Sequence, residues 1–270
     1  MRRRFLSILL TICMLASIFP TGAWAAKDLA EEIEVYSEAE HNAMAVEAYK
    51  LTVYDLDGSG TEKDPYKIST REDLETLADA VNAGNDLKGV YFKQTVDINL
   101  GGKDDPWTVI GYVKGNTPHP FNGVYDGDNF MIYGLFVGTT DEDGEPVGTQ
   151  NEDAGLFGHV GINGVIRKVH VVDCIVYNKA LYVGGIAGRN EGLVEYCSSN
   201  ASDPDASSGV VNGSWQYAGG IVGYNFGTIS YCYSNCDVLG AQKIGGITGG
   251  QNGGAVANCY FRGYVYADDI

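Results

Sequence analysis

The chain is 270 residues long and 44% apolar, with 37 glycines, 18 tyrosines and 7 prolines, which is enough apolar material for a sizeable core and too much for a disordered chain. Its 35 acids against 18 bases give a net charge of −17, which argues against nucleic acid and anionic lipid as partners, since both repel such a surface. Many glycines and tyrosines with few prolines point to short strands and tight turns rather than long helices.

Met1-Arg2-Arg3-Arg4 is a basic start, Phe5 to Phe19 carries no charge, and Pro20-Thr21-Gly22 leads to the small residues Ala23 and Ala25. This pattern predicts a cleavable signal peptide over 1–25, too short in its apolar run for a membrane anchor of about 20 residues. The expected product is secreted or cell-surface, with no membrane insertion after cleavage. Cleavage lowers Lys+Arg from 18 to 15 against 35 acids, a net charge of −20. Cys174, Cys197, Cys232, Cys236 and Cys259 remain. An odd count without a C-x-x-C pair disfavours both a disulfide framework and a zinc site.

Residues 26–54, acidic and alanine-rich, read as a linker or loosely held helix. Asp55-Leu56-Asp57-Gly58-Ser59-Gly60 is turn chemistry, and Pro65 to Ile68 a short strand. One helix follows near residues 70–83. Ser69 or Thr70 caps it with Glu72 or Asp73 as partner, while Leu74, Leu77, Ala78 and Val81 share a face and Gly84 stops it. Val90 to Leu100 is a strand run, and Trp107 to Gly111 a short apolar stretch. Phe121 to Leu135 has the look of two strands around the Asp126-Gly127 turn. The module 55–138 then gives way to a polar, acidic stretch, 139–153, expected to be a surface loop.

Internal repeats fill 154–270. Gly155-Leu156-Phe157-Gly158 recurs as Gly185-Ile186-Ala187-Gly188, Gly220-Ile221-Val222-Gly223 and Gly246-Ile247-Thr248-Gly249. Each is followed by a glycine turn and a short strand, and three of those strands lead to Cys197, Cys232 and Cys259, with Val169 at the same place in the first repeat. Valine in a cysteine column signals packing rather than thiol chemistry. A unit of this length cannot enclose its own apolar side chains, but stacked on a copy it pairs every backbone group and aligns like residues. The glycines then serve either to turn corners with positive φ or to let adjacent coils approach. Ile229 and Cys232 are an odd number of positions apart, so both face inward only if the chain bends between them.

The run Gly219 to Tyr233 and its three relatives resemble GLUG-motif repeats of bacterial secreted and adhesin-like surface proteins. The front module also resembles the one that often precedes them, through Pro65-Tyr66, the capped helix, Trp107…Ile110-Gly111 and Phe121-Asn122-Gly123. The resemblance covers roughly 57–266 and implies an all-β fold, a right-handed parallel β-helix closed at one end by the short capping helix. It is specific as to family and unspecific as to activity.

No chemistry stands out. His41, His119, His159 and His170 form no His-Glu-x-x-His, so the peptidase members of the family lend no catalytic residue. Carbohydrate cleavage would need carboxylates gathered on one outer face. Asp126, Asp128, Asp173, Arg167 and Arg189 are the set to watch, with local hydrogen bonding and solvation as the plainer explanation. Asp55-x-Asp57-x-Ser59-Gly60 opens like a calcium loop but has Tyr66 where an EF-hand needs Glu. A weaker site there or over 141–145 stays open beside ordinary acidic turns. The glycine runs lack phosphate-loop spacing, and no cofactor or metal is called for. Tyr217, Tyr224, Tyr231, Tyr233, Tyr260, Tyr264 and Tyr266 serve either packing or a ligand platform, with Tyr224, Tyr231 and Tyr233 as its named members.

The sequence therefore predicts a non-catalytic extracellular module, structural or adhesin-like, whose partners are a glycan or a cell-surface protein. The alternative is a carbohydrate-active enzyme or its accessory domain. The stretch after Tyr266 carries no polar cap, so a truncated product or a partner chain covering that end is expected.

Overall fold

Strands of two to four residues are too short to stand alone, so each must find its partners in neighbouring turns of the chain. The computed structural model describes residues 55–114, 117–142, 146–147, 153–202, 209–213 and 216–267. The predicted signal peptide, the segment 26–54, part of the acidic stretch (143–145 and 148–152), the loop residues 203–208 and 268–270 lie outside them.

Five parallel sheets run along the molecule. Sheet 1 has seven strands: Tyr66–Ile68, Tyr91–Gln94, Val124–Asp126, Val165–Arg167, Leu193–Glu195, Thr228–Ser230 and Ala255–Ala257. Sheet 2 has six: Ile98–Asn99, Met131–Tyr133, His170–Val172, Ser198–Asn200, Tyr233–Ser234 and Tyr260–Phe261. Sheet 3 has five: Phe136–Val137, Ile175–Asn178, Val210–Gly213, Asp237–Gly240 and Val265–Ala267. Sheet 4 holds Asp153–Ala154, Tyr182–Gly184, Tyr217–Gly219 and Lys243–Gly245, and sheet 5 holds Phe157–Val160, Ala187–Asn190, Val222–Asn225 and Thr248–Gln251. From Asp153 onward each coil visits sheets 4, 5, 1, 2 and 3 in turn. The fold is a parallel β-helix, and the front module enters it gradually, its coils supplying sheet 1 alone, then sheets 1 and 2, then sheets 1, 2 and 3.

Register makes like stand on like. Tyr66, Phe92, Tyr125, Ile166, Val194, Ile229 and Val256 form one column on sheet 1. Val137, Val176, Val211, Val238 and Val265 form another on sheet 3. Ile186 donates its N–H to the Ile221 carbonyl at 3.0 Å and Ile221 to that of Ile247 at 3.1 Å, so the repeat isoleucines are stacked too. Most of these side chains are fully buried in one continuous cluster, which is where the stabilising free energy sits.

The helix α1, Arg71–Asn82, follows the first strand directly. Thr70 caps it: Asp73 N–H donates to Thr70 Oγ1 at 3.2 Å, and the Asp73 carboxylate accepts from the N–H of Thr70 at 3.1 Å. Leu74, Leu77, Ala78, Ala80 and Val81 are buried in the same cluster as the sheet columns, so α1 lays its apolar face on the core.

Three expectations need correcting, and of the two roles open to the repeat glycines one is found. The repeat glycines do not turn corners with positive φ. The positive-φ residues of the sheet 1 to sheet 2 corner are Lys168, Tyr196, Tyr231 and Asn258, at +52°, +53°, +53° and +55°, and this is the bend that lets Ile229 and Cys232 both face inward. The glycines allow close approach instead. A Cβ on Gly188 would lie 2.6 Å from Ala154 N, and one on Gly249 2.6 Å from Ala218 N, each time against the sheet 4 strand of the preceding coil. The Asp126-Gly127 turn is likewise no hairpin, because its two strands belong to sheets 1 and 2 and pair with other coils. Val90 to Leu100 splits into Tyr91–Gln94 and Ile98–Asn99 at the same corner. Finally, 139–153 is not all loop. Thr139–Thr140 pairs antiparallel with Pro146–Val147, and Asp153–Ala154 opens sheet 4.

Asn190 and Asn225 hold the middle of the column Val160, Asn190, Asn225 and Gln251 that ends sheet 5. Asn190 Nδ2 donates to Asn225 Oδ1 at 2.8 Å, and Asn225 Nδ2 donates to the carbonyls of Gly227 at 3.0 Å and Ala255 at 3.3 Å. Both are fully buried, so each coil hands its polar group to the next.

Candidate functional site

Because inward positions are taken by the core, function must be sought among the outward columns. On sheet 1 these hold Lys67, Lys93, Asp126, Arg167 and Glu195 one above another. Arg167 Nε is 2.9 Å from Asp126 Oδ2, and Lys93 Nζ is 3.0 Å from Asp128 Oδ2. Asp173 lies on another turn, where its carboxylate accepts from Ser202 N–H and Oγ–H, both at 2.8 Å. Arg189 is on sheet 5, with Nη2 2.5 Å from Glu191 Oε1. Of the five acids and arginines singled out for a carbohydrate-cleaving groove, Asp126, Asp128 and Arg167 thus share one flank, while Asp173 and Arg189 are held elsewhere.

Sheets 4 and 5 bring aromatic groups together. Register stacks Tyr182, Tyr217 and Lys243 in one column and Arg189 and Tyr224 in the adjoining one. Tyr217 and Tyr224 meet edge to face at 4.6 Å, Tyr182 lies 5.5 Å from Tyr217 and 5.1 Å from Tyr224, and Phe226 lies 4.8 Å from Tyr224. All four are half-buried, so part of each ring remains open. Cations border the patch: Arg189 sits 4.9 Å over Phe226, and Lys243 Nζ donates to Tyr217 Oη at 2.6 Å. That hydrogen bond raises the Lys243 pKa, and burial raises that of Tyr182. Tyr182 was missing from the expected platform, although it precedes Gly185 by the same three positions as Tyr217 precedes Gly220.

Tyr231 and Tyr233 belong to a different flank, at the corner of sheets 1 and 2. Tyr231 stacks on Tyr196 with centroids 4.9 Å apart and planes 5° apart, and Tyr233 stacks on Tyr260 at 5.1 Å and 5°. Each ring therefore spends a face on its neighbour. Tyr196, also unforeseen, stands before Cys197 as Tyr231 stands before Cys232.

The cysteine column is interior. Val169, Cys197 and Cys232 are buried and Cys259 half-buried, and the N–H of Cys197 points to Cys232 Sγ at 3.4 Å, that of Cys232 to Cys259 Sγ at 3.4 Å. The hydrogen bond to Cys197 and burial push the Cys232 thiol up, away from the reactive thiolate. Cys174 and Cys236 approach to 3.6 Å between sulfurs, but their strands are separated by the Val210 strand. Two strand spacings, about 9.6 Å, exceed what a disulfide spans.

His159, in the Arg189 column, is 3% exposed. Burial and then Arg189 lower its pKa to about 4, with Glu191 opposing, so the ring is neutral at pH 7. The unfolded chain binds a proton near pH 6.5 and the folded chain does not, so stability is complete above 6.5 and falls toward pH 4. Burial lowers the His170 pKa as well, with the same sign. Chemical denaturation across this window is expected to show a shallower pH slope for His159→Gln than for the parent, and equal slopes would contradict it.

A cleft of about 530 Å³ lies between α1 and the Trp107 segment, lined in part by Asp79, Asn82, Trp107 and Tyr112. Burial and Glu75 raise the Asp79 pKa. Among the described residues no three His, Cys, Asp or Glu side chains are placed to hold a metal ion, and no helix is long and apolar enough to cross a membrane.

No family model matches the chain. A protein of Evansella cellulosilytica provisionally named a Gly-rich membrane protein is 29% identical over 147 residues, 52% of this chain and 15% of that protein. Halomucin of Haloquadratum walsbyi is 28% identical over 140 residues, 51% of this chain and 1% of that protein. The chain thus spans a small part of either relative. The crystal structure of a Bacteroides ovatus protein, provisionally named an immunoglobulin A1 protease, aligns with a TM-score of 0.54 and 24% identity over 76% of this chain and 58% of that one. At that identity the likeness is one of fold.

Proposed function

We propose that this chain is a non-catalytic extracellular β-helical module of the GLUG-repeat type, which binds a glycan through the aromatic patch of Tyr182, Tyr217, Tyr224 and Phe226. The patch itself carries the reading. Part-exposed tyrosine rings bordered by cations suit sugar rings, whose C–H faces stack on aromatics while their hydroxyls meet polar groups. The secreted or surface setting is supported by the N-terminal sequence and by relatives named as membrane protein and halomucin.

A glycan array read beside a reducing-sugar release assay tests this. Binding without release is expected, and Tyr217→Ala with Tyr224→Ala should weaken it at least about tenfold, equivalent to about 1.4 kcal/mol. Release of sugar would overturn the non-catalytic reading. Binding to proteins alone, or unchanged glycan binding by the double variant, would overturn the assignment of the patch.

A further inference from the structure

We propose that the exposed tyrosine flank is an oxidative cross-linking site, where Tyr196 joins Tyr231 and Tyr233 joins Tyr260 as dityrosines that staple three successive coils. Tyr196, Tyr231 and Tyr260 are 48%, 51% and 61% exposed, and Tyr233 is half-buried. Both pairs are nearly parallel stacks between adjacent coils, with centroids 4.9 and 5.1 Å apart. The register that places them is fixed by backbone pairing of Ser198 with Tyr233 and of Tyr233 with Tyr260. Tyr231 and Tyr233 are two residues apart on one coil, so the two links together tie the coils carrying 193–200, 228–234 and 255–261.

Four of the five described thiols are far less open. Cys174, Cys197, Cys232 and Cys236 are at most 1% exposed, so an external oxidant meets these phenols before those thiols. All five described cysteines are unpaired, leaving the coils without a covalent tie of their own. The coil over 243–267 gains most from one, because its side chains are the least buried.

The chemistry needs a peroxide and a haem peroxidase as oxidant. Each phenol gives up one electron and its hydroxyl proton to become a phenoxyl radical. Two radicals on stacked rings join through a bond between their ortho carbons. The hydrogen on each joined carbon then moves to its own oxygen, restoring the phenols. One peroxide takes the two electrons and two protons and leaves as two waters, so each link removes two hydrogen atoms from the protein.

The purified chain, treated with hydrogen peroxide and a haem peroxidase, is expected to stay monomeric, to gain dityrosine fluorescence and to yield two linked peptide pairs by mass spectrometry. Tyr196→Phe should remove the first link and leave the second, and Tyr260→Phe the reverse, since phenylalanine keeps the stack without the phenol. Tyr264 and Tyr266 are an internal control, exposed at 61% and 48% but 5.8 Å apart and 27° from parallel, two positions apart on one coil. Absence of dityrosine, links only between molecules, or a Tyr264–Tyr266 link forming as fast would overturn the proposal. So would a linked chain whose 243–267 coil is cut by protease as quickly as the unlinked one.

Discussion

Gly223→Ala is expected to cost about 4 kcal/mol or more, a large fraction of the about 5–15 kcal/mol that holds an ordinary domain folded. The new Cβ would fall on the backbone nitrogen of Val183 and lie 2.7 Å from the Gly188 oxygen and 2.8 Å from the Tyr182 carbonyl carbon. None of these is the end of a flexible side chain, so relief requires the coils themselves to part. Gly223 is not among the positive-φ residues, so alanine meets no backbone objection and gains up to about 1 kcal/mol from a stiffer unfolded chain. Gly253→Ala is the counter-case: φ is +75° and nothing lies within 4 Å of its Cβ, so only strain of about 1–2 kcal/mol is added. Denaturant midpoints should rank Gly223→Ala far below Gly253→Ala. The opposite order would mean that the repeat glycines act through backbone conformation, not close packing.

Asn225→Asp is expected to cost about 3–5 kcal/mol at pH 7. The side-chain amide of Asn225 donates to two carbonyls and accepts from Asn190. A carboxylate there would face both carbonyls with no donor of its own, in a fully buried column. The folded state raises the pKa of that acid above its unfolded value. The penalty is therefore full above the folded pKa and fades as the pH falls, when the protonated acid regains an O–H to donate. Relative to the parent, the variant should recover stability on acidification, while the parent itself loses it through His159. A penalty independent of pH would contradict the ladder as drawn.

The stack was legible in the sequence because its inward columns recur there. Ile186, Ile221 and Ile247, and Val169 with Cys197, Cys232 and Cys259, are equivalent in the repeats and adjacent in space. The capped helix was legible for a local reason, since Thr70, Asp73 and the apolar face need only neighbours in sequence. The outward surface was not. Which tyrosine stands beside which depends on register between residues 27 to 35 positions apart, so Tyr182 and Tyr196 escaped notice and Tyr224 was grouped with Tyr231 and Tyr233, which face elsewhere. The corners misled for another reason. Asp-Gly is the usual hairpin signal, yet Gly127 is there because a Cβ would strike the Lys168 backbone of the next coil, while the positive φ falls on Asp128 and Asn129.

Distances between nitroxide spin labels test the stack most directly. Lys67, Lys93, Asp126, Arg167, Glu195, Ser230 and Ala257 occupy one outward column. A label at 67 paired with one at 195, 230 or 257 should read about 19, 24 and 29 Å, one strand spacing of about 4.8 Å more at each step. Separations that scatter, or that grow with the unequal intervals along the chain, would show that the coils do not share a cross-section.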